Sequence, residues 1–139
     1  MRYNIRDMAI FLSHSPEETK SFAAQYAKTL KPGDVVLLEG EMGAGKTAFA
    51  QGVARGLGIK EDVLSPTYAY VNSYEPMFHF DCYRIESERQ AEELGFSDYF
   101  DAGKICLVEW SQNIAGLLPA DCKKVVIRKV NEEEREIVT

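Results

Sequence analysis

The sequence is poor in the residues that build disulfide frameworks and zinc sites. Its 139 residues include three cysteines and two histidines, with no C-x-x-C pair. An odd, low count of widely spaced cysteines (Cys82, Cys106 and Cys122) is typical of a reducing compartment and favours neither kind of site. Because Cys82 and Cys106 lie within apolar runs, we interpret them as buried, inert thiols.

Long apolar runs and an excess of positive charge are also missing. No run approaches the roughly 20 residues of a membrane span, and residues 1–7 lack the apolar segment of a signal peptide. We therefore expect a soluble, cytoplasmic protein with no membrane partner. The formal net charge is −6, which argues against a protein that grips nucleic acid by itself, because neutralising phosphates requires a basic surface.

What is present is an ordinary globular composition, with 45% hydrophobic and 27% charged residues. A chain of this length suits one domain with its own core. Because we find no internal repeat and no low-complexity linker, we predict a single domain over residues 1–139.

One stretch, residues 40–47 (GEMGAGKT), organises the chain, because it fits the pattern G-x-x-x-x-G-K-[ST] at every specified position. An apolar run of strand length precedes it and a plausible helix follows, which is the context that a phosphate-binding P-loop needs. The glycines let backbone amides approach phosphate, and the first helical turn supplies further N–H groups. Lys46 is then placed for the β and γ phosphates, and the Thr47 hydroxyl for Mg²⁺. The predicted nucleotide contacts are Glu41, Met42, Gly43, Ala44, Gly45, Lys46, Thr47, Ala48 and Trp110.

Residues 77–85 are a predicted strand with a period of two. One face carries Phe78, Phe80 and Cys82, and the other carries His79, Asp81 and Tyr83. An acid between a histidine and a tyrosine in an otherwise apolar strand is unusual for packing. Asp81 is therefore a candidate for contact with metal or water, and the alternative is a solvated strand face.

A second acid ends the apolar run at residues 104–110, which has the Walker-B form of a buried parallel strand that delivers a carboxylate at its C-terminal end. Glu109 either holds Mg²⁺ through water or orients the attacking water, and the alternative is a strand that merely ends in an acid. Trp110 is either a core aromatic or a lid over the site. Thr67, in the loop after the P-loop helix, is a candidate γ-phosphate sensor, although an incidental loop threonine is an equal alternative.

The order of elements predicts an α/β fold, a three-layer P-loop NTPase domain whose mixed central sheet is parallel around the P-loop and antiparallel at its margins. A first strand at residues 8–13 and a hairpin of residues 123–130 and 135–139 supply the margins. Ser15, Ser87 and Ser111 are predicted helix caps.

With these motifs collected, the chain resembles the bacterial P-loop ATPase family of tRNA threonylcarbamoyladenosine biosynthesis, TsaE. The matching segments are GEMGAGKT at 40–47, SPTY at 65–68, HFDCYR at 79–84, LG at 94–95 with DY at 98–99, ICLVEW at 105–110, and LP at 118–119. They follow in family order and at family spacing, over roughly residues 13–128. Glu41 stands where Asp is common and Met42 where Leu is common, and neither change removes a ligand.

The resemblance implies a Mg²⁺-dependent ATPase that is weak by itself. It also implies association with the heterodimer that transfers threonylcarbamoyl to the adenosine beside the tRNA anticodon. Lys46 and Thr47 would serve phosphate and Mg²⁺, Asp81 and Glu109 would serve metal and hydrolysis, and Trp110 would be functionally important. Two rival functions are a small-molecule P-loop kinase, for which an Arg-rich lid is missing, and a binding module gated by nucleotide occupancy.

The excess of acidic residues generates a first prediction. The isolated chain binds tRNA weakly, because its net charge of −6 repels the phosphate backbone. Fluorescence anisotropy with labelled tRNA at low and physiological salt measures it. Tight binding that weakens steeply with salt would contradict the prediction.

Overall fold

The computed structural model describes the backbone of residues 2–5, 8–64 and 70–139, and the side chains of residues 9–64 and 70–139. In chain order its elements are β1 (Arg2–Ile5), β2 (Met8–Ser13), α1 (Pro16–Ala27), β3 (Val35–Glu39), α2 (Lys46–Gly56), β4 (Val71–Tyr74), β5 (Met77–Asp81), α3 (Glu88–Glu93), α4 (Phe96–Phe100), β6 (Ile105–Glu109), a 3₁₀ helix (Ser111–Leu117), β7 (Cys122–Lys129) and β8 (Arg135–Val138).

The chain divides into two compact units. Unit 1 comprises Met1–Thr29, Glu39–Leu64 and Lys124–Thr139, and unit 2 comprises Leu30–Leu38 and Ser65–Lys123. Unit 1 therefore contains the glycine loop and α2, and unit 2 contains both predicted acids.

Antiparallel strands and two helices build unit 1. The strand order is β1-β2-β8-β7, and all three pairings are antiparallel. The predicted first strand and C-terminal hairpin are confirmed, whereas β1 was not predicted. Helix α1 begins as its sequence indicates: the Ser15 side chain accepts a hydrogen bond from the amide of Glu18, and Pro16 occupies the first turn.

Helix α1 packs against α2 at two glycines. A Cβ on Gly52 would lie 2.6 Å from the Cβ of Ala23, and one on Gly56 would lie 2.8 Å from the Cβ of Ala27. In both cases a backbone carbonyl oxygen of α1 is nearer still. The two helices thus meet backbone against backbone, which fixes the position of α2 and of the loop that leads into it.

Unit 2 supplies the parallel part of the fold. Its strand order is β3-β6-β5-β4, with β3, β6 and β5 parallel and the β4–β5 hairpin antiparallel. An aromatic cluster packs in the core of unit 2. The ring centroid of Phe80 lies 5.2 Å from that of Phe96 and 5.0 Å from that of Phe100. The predicted α/β class, parallel beside the P-loop strand and antiparallel at the margins, is confirmed.

Two element boundaries differ from the sequence analysis. Strand β5 ends at Asp81 rather than near residue 85, because the Asp81 carboxylate accepts the amide of Tyr83 at 3.0 Å and turns the chain. Ser111 is the first residue of the 3₁₀ helix rather than its cap, which is the left-handed Trp110.

None of the helices in the described part of the chain is long and apolar enough to cross a membrane.

The helix contact generates a second prediction: Gly52→Ala lowers the free energy of unfolding by about 2 kcal/mol, because overpacking outweighs the gain in helix propensity. Urea unfolding measures it. Arg55→Ala, at an exposed position of the same helix, should change stability by about 0.5 kcal/mol or less. A Gly52→Ala variant as stable as the parent would contradict the backbone contact.

Candidate functional site

The glycine loop has the backbone that its pattern predicts. Gly43 and Gly45 adopt φ values of +80° and +107°, in the left-handed region that favours glycine. Position 40 requires glycine for another reason, since a Cβ there would lie 2.7 Å from the carbonyl oxygen of Ile127 on β7. The amide of Ala44 donates to the carbonyl of Glu41 at 3.1 Å and closes the turn of the loop.

Helix α2 starts directly at the end of the loop. Gly45 is its N-cap residue and makes no side-chain cap hydrogen bond to the first-turn amides. Lys46 is buried, with 8% of its surface exposed, whereas Thr47 is exposed at the second helical position. The eight predicted contacts from Glu41 to Ala48 thus form one continuous segment of loop and helix start, in which Ala44 and Lys46 are buried.

A cavity of about 380 Å³ opens beside this loop. Gly45 and Ala48 form its loop side, and His14, Thr19, Glu132 and Arg135 contribute to the rest of its wall. All of these residues belong to unit 1. The loop therefore borders a space large enough for more of a ligand than its phosphates.

In unit 2, the strand register aligns the two predicted acids. Glu109 is in register with Leu38 on β3 and with Asp81 on β5. Because the three strands are parallel, their carboxyl ends share one edge, where ligands collect in open α/β sheets. Leu38 is also two residues before Gly40 in the sequence, so Glu109 ends the strand next to the one that leads into the loop, and Asp81 ends the strand beyond it.

Glu109 forms a buried pair that the sequence analysis missed. His79 Nε2 lies 2.7 Å from Glu109 Oε2, and the two side chains are 0% and 6% exposed. The two atoms are within hydrogen-bond distance, so the imidazole and the carboxyl group satisfy each other inside unit 2. The Nδ1 atom of His79 is buried without a hydrogen-bond partner among the described residues. The alternative of a solvated strand face is wrong for His79, which is fully buried. The period-two pattern, which puts His79 on the same strand face as Asp81, was the one sequence feature that could have indicated a role for it.

Asp81 is half-buried and sits at a turn. Besides accepting the Tyr83 amide through its carboxylate, it donates its own amide to the carbonyl of Tyr70 at 2.8 Å. Tyr70 adopts a positive φ of 61°. The predicted sensor Thr67 lies outside the described residues.

Trp110 packs against the core of unit 2, as the first of its two interpretations predicts, and the lid interpretation stays a prediction. It is half-buried against the hydrophobic cluster of unit 2, and its ring centroid lies 4.9 Å from that of Tyr83, which is 51% exposed. Its own backbone is left-handed, with φ at 57°. The chain therefore turns sharply directly after Glu109.

The remaining candidate ligands give no ready-made metal cage. Among the described residues, no three His, Cys, Asp or Glu side chains come together to hold a metal. Cys82 and Cys106 are buried, as predicted, and burial raises the pKa of both thiols to about 12.

Comparison with known proteins decides the family. The model of the family described as threonylcarbamoyl adenosine biosynthesis protein TsaE matches residues 13–137. The chain belongs to the TsaE family. A Bacillus subtilis (strain 168) protein named tRNA threonylcarbamoyladenosine biosynthesis protein TsaE is 46% identical over 127 residues, which cover 88% of this chain and 79% of that one.

More distant members and a solved structure agree with this assignment. The Treponema pallidum (strain Nichols) protein of the same name is 32% identical over 129 residues, 91% of this chain and 96% of that one. The crystal structure of Bacillus subtilis YdiB is similar with a TM-score of 0.81 and 37% identity, covering 99% of this chain and 85% of that chain.

The buried pair generates a third prediction. A double-mutant cycle of His79→Ala and Glu109→Ala, measured by urea unfolding, should give a coupling free energy of about 1.5 kcal/mol or more, because a buried hydrogen bond to a charged group is strong. The same cycle on Arg89 and Glu93, whose side chains are 89% and 67% exposed, should give about 0.5 kcal/mol or less. Equal coupling in the two cycles would contradict the pairing.

Proposed function

We propose that this chain is a Mg²⁺-dependent ATPase that serves the threonylcarbamoyladenosine modification of tRNA beside the anticodon. It would act on the protein complex that transfers threonylcarbamoyl. The observation that carries the enzymatic part is the glycine loop, with two left-handed glycines, a buried lysine and an α2 N-terminus that lacks a side-chain cap. Membership of the TsaE family supports the assignment to threonylcarbamoyladenosine modification of tRNA.

In this proposal the loop binds the phosphates of ATP. Backbone amides of the loop and of the first turn of α2 donate to the phosphate oxygens, and Lys46 supplies a compact positive charge. The Thr47 hydroxyl would hold Mg²⁺, which would neutralise charge on the phosphates. The cavity beside Gly45 and Ala48 receives the nucleoside, because it is open space next to the loop.

The two acids take different roles in this proposal. Asp81, half-buried at the end of β5, serves the metal. Glu109 directs the attacking water, since its carboxylate is buried and held in a fixed orientation by His79. Trp110 would cover the site next to Glu109. Hydrolysis by the chain alone would be slow in this proposal, and a partner would complete it.

The proposed protein partner is inferred from the family and from the negative net charge of the chain. Relatives that cover most of this chain are named for threonylcarbamoyladenosine biosynthesis, while the acidic chain is poorly suited to hold tRNA itself. We therefore place the chain in the cytoplasm as an ATP-driven component of a complex in which other proteins hold the tRNA. Thr67 would report the γ-phosphate to them.

The decisive experiment is a fourth prediction: Glu109→Ala keeps ATP binding but lowers turnover by about 100-fold, because the attacking water loses its orienting base. Calorimetry measures binding, and phosphate release measures turnover, each with and without the purified threonylcarbamoyl-transferring heterodimer. Glu93→Ala removes an exposed acid of unit 2 and should change neither.

Two outcomes would overturn this function. Unchanged turnover in Glu109→Ala would remove the role of that acid. Phosphoryl transfer to nucleosides or to shikimate-like alcohols, with hydrolysis as a minor leak, would indicate a kinase instead.

A further inference from the structure

Arg135, the first residue of β8, contacts the glycine loop on its carbonyl side. Its Nε donates to the carbonyl oxygen of Ala44 at 3.0 Å, and its Nη2 donates to that of Gly43 at 3.3 Å. Both partners belong to unit 1, and 91 positions separate Arg135 from Ala44. Two neighbouring loop carbonyls are therefore fixed by one guanidinium.

The third nitrogen of the same group is anchored elsewhere. Nη1 of Arg135 donates to the carbonyl oxygens of Asn131 at 2.9 Å and of Glu134 at 3.1 Å, in the turn between β7 and β8. That turn is itself ordered, because Asn131 Oδ1 accepts the amides of Glu133 and Glu134, both at 2.9 Å. The guanidinium thus joins the hairpin turn to the loop.

Fixing these carbonyls also fixes the amides of the loop. In a planar trans peptide unit, the carbonyl of one residue and the N–H of the next point in opposite directions. With the Ala44 carbonyl held on Arg135, the Gly45 N–H is directed away from it. The Gly43 carbonyl likewise sets the Ala44 amide, which makes the turn bond to the Glu41 carbonyl.

Only arginine among the cationic side chains suits this position. Its planar fork presents several donors in a fixed geometry, whereas a lysine ammonium is a single point on a flexible stem. Holding two loop carbonyls and the turn at once requires donors on all three guanidinium nitrogens.

We infer that Arg135 is a positioning residue for the phosphate-binding loop. It holds the carbonyls of Gly43 and Ala44 on one side of the loop, so that the loop backbone already has its anion-binding conformation before a ligand binds. In this role Arg135 does not contact the phosphates itself. Pre-organisation of this kind raises affinity by removing the cost of ordering the loop on binding. The consequence for nucleotide affinity rests on the proposed function, whereas the ordering of the loop does not.

The ordering is tested without nucleotide. Hydrogen exchange over residues 41–48 should be at least about fivefold faster in Arg135→Ala than in the parent, because opening the loop no longer breaks hydrogen bonds to a charged donor. Arg135→Lys should be intermediate. Arg128→Ala is the matched control, since Arg128 lies on the same hairpin, is 68% exposed and faces Glu136 at 3.6 Å; it should leave the loop unchanged. Equal protection in Arg135→Ala and the parent would overturn the inference.

Affinity separates positioning from direct contact with the nucleoside, since Arg135 also lines the cavity beside the loop. Calorimetry with Mg²⁺ and either ATP or tripolyphosphate should show the same loss for both ligands in Arg135→Ala, about tenfold, with Arg135→Lys in between. A loss for ATP alone would overturn positioning in favour of a nucleoside contact. If the parent itself binds no ATP, the proposed function fails, and hydrogen exchange alone still decides the role of Arg135.

Discussion

The parallel register of β3, β6 and β5 is the constraint on which the chemistry of unit 2 depends. Once Leu38, Glu109 and Asp81 share one row, both acids lie at the carboxyl edge of the parallel strands, Glu109 on the strand next to β3 and Asp81 on the strand after that. Each strand must be apolar to be buried, so the polar groups gather where the strands end. The same burial brings His79 and Glu109 together, because a buried carboxylate requires a donor.

In unit 1, two different uses of glycine meet at the loop. Gly43 and Gly45 supply backbone angles that other residues rarely adopt, while Gly40 supplies room against the carbonyl of Ile127. Glycine alone would leave the loop with a large conformational entropy to lose. The hydrogen bonds from Arg135 limit that freedom, so a flexible sequence is combined with an ordered backbone.

Local patterns in the sequence were sufficient to predict the backbone of the loop, most helices and strands, and the positions of Asp81 and Glu109 at or near the ends of strands. The P-loop spacing, the cap at Ser15 and the alternation around Asp81 each concern residues within one short segment. What the sequence did not reveal are contacts between distant segments: His79 with Glu109, 30 positions apart, and Arg135 with Ala44, 91 positions apart. A lone arginine in a polar hairpin carries no periodicity or spacing that would single it out.

The glycines at the crossing of α1 and α2 restrict how this protein can diverge. Gly52 and Gly56 face the main chain of α1, and no choice of amino acid in the opposing helix removes a main-chain atom. A larger residue at either position would be accommodated only if both helices moved apart together. Both glycines are therefore expected to persist as long as the two helices keep their present separation.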